Sequence, residues 1–332
     1  MGFFRLSFDV TTACNLNCVH CLRMDKNSEV YLPVELFEKV VKQSKRYRTR
    51  TVIFTGGEPF VHPGLFDMVD VLVREGFRYY IVSNGTNTRR IAKLVEDKDK
   101  RKGLDCISIS LEGATEETND RIRGKGAYRK VMATTAYLKA KGVPFGFKLS
   151  FTTINAGEVE KFALDAVKLG AKYIEFSHMH FTPELLKQGL ILPKSQWRQM
   201  DSEVSRLAGM LNIRISMAVS GYCPIPFYQC SALQMSDIHV DSRGNLSLCC
   251  VLPYVWTSDP EKDKKGVAGN LAEMDLWDAH KRLVAIIAGL NQSKIRKIAE
   301  GSFSELDYYP CHYCLRYFGK LDWLKEFDPA NE

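Results

Sequence analysis

No apolar run in this 332-residue chain approaches the ~20 residues that a membrane-spanning helix needs. Nor does an apolar signal segment open it. Met-Gly-Phe-Phe leads straight into a strand pattern, which speaks against a secreted protein held by disulfides. Charge of one sign is also scarce. The net charge is only +7, and the basic residues are not interleaved with aromatics, so neither a nucleic-acid module nor a membrane partner is expected. Cysteine is plentiful, with ten residues. Without a secretion signal these point to the reducing cytoplasm and to thiolates that serve metals. Hydrophobic content of 45% and charged content of 26% are ordinary for a globular chain. The length suits a barrel-sized domain plus a smaller one. Lys39, Lys42, Lys45, Arg46, Arg48 and Arg50 cluster late in the first helical pattern, where the macrodipole favours cations. They read as a solvated helix face.

Another absence carries more information. The run Cys14-Asn15-Leu16-Asn17-Cys18-Val19-His20-Cys21 holds three cysteines and no fourth. Four thiolates usually close an iron–sulfur cluster, so a trio leaves one iron free to take a small molecule. Zinc prefers four closing ligands, commonly as C-x2-C pairs, and C-x3-C-x2-C fits it poorly. The run follows a strand pattern, Phe3 to Val10. A second strand, Thr51 to Thr55, leads directly into Gly56-Gly57-Glu58-Pro59.

On this cysteine spacing and the GGEP motif, the chain resembles the radical S-adenosylmethionine (radical SAM) superfamily. The resemblance implies that Cys14, Cys18 and Cys21 hold a [4Fe–4S] cluster. It implies that Gly56, Gly57, Glu58 and Pro59 hold the amino group of the SAM methionine, and that Ser83 and Asn84 contact its ribose and methionine. Ser110 and Arg123 would contact the carboxylate. They lie in Ser110-Leu111-Glu112-Gly113 and Asn119-Asp120-Arg121-Ile122-Arg123-Gly124, where Glu112 replaces the family's usual Asp. His20 is expected to pack beside the cluster.

Strand and helix patterns alternate with short connections, the signature of βα units and a parallel sheet. Strands are predicted at 3–10, 51–55, 78–83, 105–111, 145–152 and 173–179. The expected fold is α/β: a partial (β/α)6 TIM-like barrel over residues 1–220, with a small α+β domain over 221–332. Alternation sets Phe4, Leu6 and Phe8 against Arg5, Ser7 and Asp9. It sets Phe147, Leu149 and Phe151 against Lys148, Ser150 and Thr152, and Ile174 and Phe176 against Glu175 and Ser177. A closed barrel fills its interior with Val, Ile and Leu. Here the inner face is polar, and unpaired polar groups are costly to bury. A cavity for a polar ligand is therefore expected, with Lys148 a candidate for a cofactor or substrate contact. His178 and His180 share the parity of the apolar face and are not expected to act as bases.

Six cysteines follow Cys106, which reads as inert strand packing. They are Cys223, Cys230, Cys249, Cys250, Cys311 and Cys314. Residues 238–248 read as a hairpin with a Gly/Asn turn, which places Cys230 and Cys249 on a compact platform. The pattern C-x13-G-x4-C … C-x2-C resembles the SPASM and twitch domains of radical SAM proteins. No cysteine follows Cys314, so the shorter twitch type is implied, with a second [4Fe–4S] cluster on Cys230, Cys249, Cys311 and Cys314. A four-cysteine zinc site is the alternative, and Cys223 could replace one ligand. Cys250 is left over beside a ligand, and the resemblance makes it a candidate hydrogen-atom donor.

The function implied is reductive cleavage of SAM to a 5′-deoxyadenosyl radical, which takes a hydrogen atom from a peptide. The outcome would be epimerisation, crosslinking or oxidation in natural-product maturation, with electrons from a flavodoxin or ferredoxin. The chain begins at strand one with no recognition domain before it, which keeps open a small sugar, aminocyclitol or nucleoside oxidised at an alcohol carbon. A non-catalytic zinc-stabilised nucleic-acid module is the alternative of another class.

Overall fold

The computed structural model describes residues 5–22, 29–255, 259–302 and 304–326. Phe3 and Phe4 of the expected first strand lie outside these. The strands are β1 (Arg5–Thr11), β2 (Thr51–Gly56), β3 (Arg78–Ser83), β4 (Leu104–Ser110), β5 (Phe145–Phe151), β6 (Tyr173–His178), β7 (Arg214–Met217), β8 (Asp237–Val240), β9 (Asn245–Ser247) and β10 (Val267–Asn270). Among the described residues they form one open sheet, in the order β10-β9-β8-β1-β2-β3-β4-β5-β6-β7.

β1 to β7 pair in parallel, each neighbour reached through a helical crossover. The six expected strands are all present, and β7 adds a seventh. The C-terminal segment does not stand apart from this sheet. β8 lies parallel to β1, with Ser7 opposite His239 and Phe8 opposite Val240, and β9 and β10 follow antiparallel. The Arg5 guanidinium binds Asp237 at 2.6 Å across the same seam.

The apolar parity of the strands meets the helices. Leu6, Phe8, Phe54, Ile107, Ile109, Phe147 and Phe176 are fully enclosed. Phe37, on the helix Val34–Ser44, stacks on Phe54 with ring centroids 5.5 Å apart. His178 belongs to this side, with Asp201 3.0 Å from its Nε2, so its role is structural. The other parity faces inward, and several of its members pair with one another. Lys148 meets Glu175, and Ser150 meets Ser177 at 3.0 Å. The early basic cluster is mostly engaged within the fold. Lys39 Nζ donates to the Leu271 carbonyl at 2.7 Å, Lys45 pairs with Glu75, and Arg46 lies 4.5 Å from the Trp277 ring centre.

Candidate active site

The loop after β1 carries Cys14, Cys18 and Cys21, and β2 delivers a second loop onto it. Gly57 N donates to Thr11 O at 2.7 Å and Glu58 N to Ala13 O at 2.9 Å. A Cβ on Gly57 would lie 2.1 Å from Ala13 O, and Gly56 sits at φ +115°. The two glycines therefore let backbone press on backbone, which no side chain at these positions would allow. On the far side, Val19 N donates to Ile122 O at 2.9 Å.

Glu58 is fully buried. Its carboxylate accepts from Phe60 N at 3.0 Å, Ser83 Oγ at 2.9 Å and Asn84 N at 2.6 Å. Through these bonds Glu58 braces Ser83-Asn84. Asn84 then donates to Asn15 Oδ1 at 2.8 Å, with its Nδ2 3.8 Å from Cys14 Sγ. The end of β3 is thereby tied to the cysteine loop.

Ser110 closes β4, opposite Lys148 of β5. The next turn folds on Asn119, whose side chain accepts from Glu112 N at 3.0 Å. Thr115 caps the helix Glu116–Arg123, which brings Arg123 back over the site. The Glu112 carboxylate accepts from Arg123 Nη1 at 2.9 Å and from Ser150 N at 2.8 Å, and lies 3.2 Å from His20 Nε2. The longer glutamate thus spans β4, β5, the helix and the cysteine loop. Burial opposes its charge, yet His20 and Arg123 outweigh this and hold the carboxyl below its ordinary range.

Two polar atoms here are buried without a partner, Arg123 Nε and His20 Nδ1. Burial pushes the Cys18 thiol up to about 11, against the pull of the Arg123 charge. Three thiols, a glycine cradle and unspent donors from Arg123 and His20 fit a cluster with an anionic ligand on its open iron.

The second cysteine set is built on the hairpin of β8 and β9 and on the helix Pro310–Tyr317. Gly244 turns the hairpin at φ +83°. The helix Leu276–Ala299 backs both parts: Asn291 accepts from Gln229 Nε2 at 2.9 Å, and Ser293 Oγ meets Tyr313 OH at 2.6 Å. Cys230, Cys249 and Cys314 act electrostatically on Cys311, as does Cys250, and Cys230 and Cys314 act on Cys249. Cys223 hangs by its backbone from Tyr308 O at 2.9 Å. Burial pushes the Cys249 and Cys314 thiols up to about 12, so iron or another cation is needed to hold them as thiolates. The backbone N–H groups of Val251 and Leu252 are in reach of Cys249. Among the described residues, no group of three His, Cys, Asp or Glu converges on a point that one metal ion would occupy. A four-iron cube spreads its thiolates more widely than a single ion does.

Cys250 differs from its neighbour. It is exposed, yet Asp9 of β1 and Lys148 of β5 act on it electrostatically. Two residues not singled out in the sequence stand nearby. His239 Nε2 lies 2.9 Å from Asp9 Oδ2, and its Nδ1 lies 2.9 Å from Ser7 Oγ. Only the register of β8 on β1 reveals this pair. Tyr254 lies against the same Asp9 carboxylate; burial and that charge hold its phenol protonated.

An open α/β barrel whose first loop presents three thiols beside a backbone cradle defines an iron–sulfur enzyme built to bind a small anionic ligand. The chain belongs to the radical SAM superfamily, whose sequence model matches residues 8–177, just over half of it. It is a radical SAM enzyme, of a family that uses SAM and a [4Fe–4S] cluster, and the non-catalytic zinc-module alternative falls away. Among curated relatives, an AdoMet-dependent heme synthase of Methanosarcina barkeri is 28% identical over 174 residues, covering 50% of this chain and 48% of that protein. The mycofactocin maturase MftC of Mycobacterium tuberculosis is 32% identical over 169 residues, 50% of this chain and 42% of MftC. The matched stretch thus spans about half the length of these relatives or less. Among solved structures, anSMEcpe with bound AdoMet and a Cp18Cys peptide superposes with a TM-score of 0.67 at 16% identity, covering 100% of this chain and 99% of that one. Streptococcus suis SuiB bound to its precursor peptide SuiA gives 0.65 at 14% identity, over 83% and 64%. At such identities the likeness concerns fold. No helix among the described residues is long and apolar enough to cross a membrane.

Proposed function

We propose that this enzyme removes a hydrogen atom from a peptide held in the barrel, as a step in natural-product maturation, and that residues 221–332 form a twitch-like domain with a second [4Fe–4S] cluster on Cys230, Cys249, Cys311 and Cys314. One observation carries the reading. Cys250, exposed and next to Cys249, feels the charges of Asp9 on β1 and Lys148 on β5, which supports a chamber common to the two cysteine sets. Bound SAM and its cluster supply a 5′-deoxyadenosyl radical, strong enough to take hydrogen from an unactivated C–H bond. The chain's own work is placement. Arg123 and Ser110 orient the SAM carboxylate, and the Gly56-Gly57 backbone and Asn84 seat the methionine end. The Lys148–Glu175 and Ser150–Ser177 pairs offer a peptide backbone donors and acceptors on the inner wall, fixing which hydrogen is presented. In the epimerising outcome Cys250 would give its S–H hydrogen to the substrate radical, and the thiyl radical left behind would regain the thiol with one electron from the reduced flavodoxin or ferredoxin and a proton from solvent. A flavodoxin or ferredoxin supplies electrons.

Anaerobic reconstitution tests the reading. Two four-iron clusters predict about eight irons per chain, with 5′-deoxyadenosine released on reduction and deuterium passing into it from labelled peptide. Four irons only, or zinc at the second set, removes the auxiliary cluster. Changing Cys250 to Ala should leave 5′-deoxyadenosine release intact and stop epimerised product; an unchanged rate and stereochemistry removes Cys250 from the chemistry. The polar inner wall also suits a sugar, aminocyclitol or nucleoside oxidised at carbon, and deuterium transfer from such a compound but not from peptide would favour that second reading.

A further inference from the structure

The buried stripe of the helix Leu276–Ala299 runs Leu276, Ala279, Leu283, Ile287, Leu290 and then Lys294. A lysine thus occupies a position where the pattern calls for leucine. It is 3% exposed, and its Nζ is buried without a hydrogen-bond partner. Asp307 does not serve it, because Lys297 binds Asp307 at 2.7 Å. Besides the Tyr313 ring, 5.6 Å from Nζ to its centre, the groups whose charge acts on Lys294 are Cys314 and Cys230. Lysine is almost never fully buried unless paired, and an uncompensated interior ammonium is strongly unfavourable. Neutral thiols give it no counter-charge. An anion centred on Cys230 and Cys314 does, and four thiolates around an iron–sulfur core form one.

We propose that Lys294 is the cationic partner of the auxiliary cluster, its ammonium donating to sulfur on the Cys230 and Cys314 side and raising the cluster's reduction potential. This rests on the auxiliary-cluster reading above. Reduction adds one negative charge to an already anionic group, and a fixed cation beside it in a low-dielectric site favours the reduced form. Lys294 acts through the cluster as a positioning and tuning residue.

The test uses the full chain carrying Cys14→Ala, Cys18→Ala and Cys21→Ala, reconstituted anaerobically, so that only the second set binds iron. Potentiometric titration followed by electron paramagnetic resonance reads the midpoint potential. Lys294→Met and Lys294→Gln should each shift the oxidised-to-reduced ratio at fixed potential about tenfold towards oxidised, a midpoint about 59 mV lower for one electron. Lys294→Arg, which keeps the charge, should stay close to the parent. If the parent takes up about four irons and Lys294→Met leaves its potential unchanged, the cluster reading stands and this proposal is overturned. If the parent binds zinc or no metal, the cluster reading fails and takes the proposal with it. Loss of iron in Lys294→Met but not in Lys294→Arg supports a need for charge; equal loss in both marks a packing role and overturns it.

Discussion

The His239 imidazole and the Asp9 carboxylate meet at 2.9 Å across the seam where β8 joins β1. Ser7 holds the other ring nitrogen at the same distance. Both members are almost completely enclosed, so the pair locks a strand from the C-terminal third onto the first strand of the barrel.

Breaking that lock should cost far more than a surface pair would. Removing one partner of a buried, hydrogen-bonded pair typically costs about 3–5 kcal/mol. Asp9→Asn and His239→Ala should each lower the thermal midpoint of the iron-free protein by several degrees. Lys264→Ala, which removes the exposed Lys264–Glu261 pair, should leave it almost unchanged. Calorimetry of the three variants checks this.

Gly57 should tolerate no side chain. Its Cβ would fall 2.1 Å from the Ala13 carbonyl, whereas a Cβ on Gly157 meets nothing within 4 Å. Gly57→Ala should displace the cysteine loop, lowering iron uptake by about four irons per chain and abolishing the spectral response to SAM. Gly157→Ala should retain both. Iron analysis and optical titration with SAM separate the two.

Arg123 carries a buried Nε with no protein partner beside the three thiols. Hydrogen bonds to a charged group are worth about 1.5–3 kcal/mol. Arg123→Met should therefore weaken SAM binding roughly ten- to a hundredfold, measured by calorimetric titration of the reconstituted enzyme. Wild-type affinity in the variant would place the SAM carboxylate elsewhere.

Stability should fall on mild acidification. His62 Nε2 lies 3.0 Å from the Leu32 carbonyl, and its Nδ1 accepts from Gly64 N at 3.0 Å. Neutral imidazole fits this arrangement, and burial lowers the ring's pKa. Burial, aided by His178, likewise lowers His180 to about 4. The unfolded chain binds protons at these rings near pH 6.5 while the folded chain does not, so their contribution is complete above pH 6.5 and lost as the pH falls below it. Urea midpoints at pH 7.5 and 5.5 should differ accordingly, and His62→Gln should flatten the difference.

Much of the site was legible because it is local. C-x3-C-x2-C and GGEP are short, and the strands before them alternate clearly, so β1 to β4 and Cys14, Cys18 and Cys21 could be read directly. Short-range turn chemistry also gave the hairpin ahead of Cys249. Long-range pairing was not legible. Nothing in Asp237–Val240 says that it adds to β1, and without that register Asp9 and His239 look unrelated. β7 is only four residues long, too brief for its alternation to stand out. The motif marks Glu58 without its three internal bonds, which appear only once Ser83 and Asn84 fold over it. Lys294 did leave a trace, since lysine on an otherwise apolar helical stripe is a period violation, but one polar residue at the end of a stripe is easily taken for its exposed edge.

The place of β8 has a consequence for how the chain is made. Until residues 237–240 leave the ribosome, β1 has β2 on one side and unsatisfied backbone on the other. Such an edge invites pairing with other chains. The nascent barrel therefore stays adhesive for most of its synthesis, and a chain cut short near residue 220 should aggregate even though its seven parallel strands are complete.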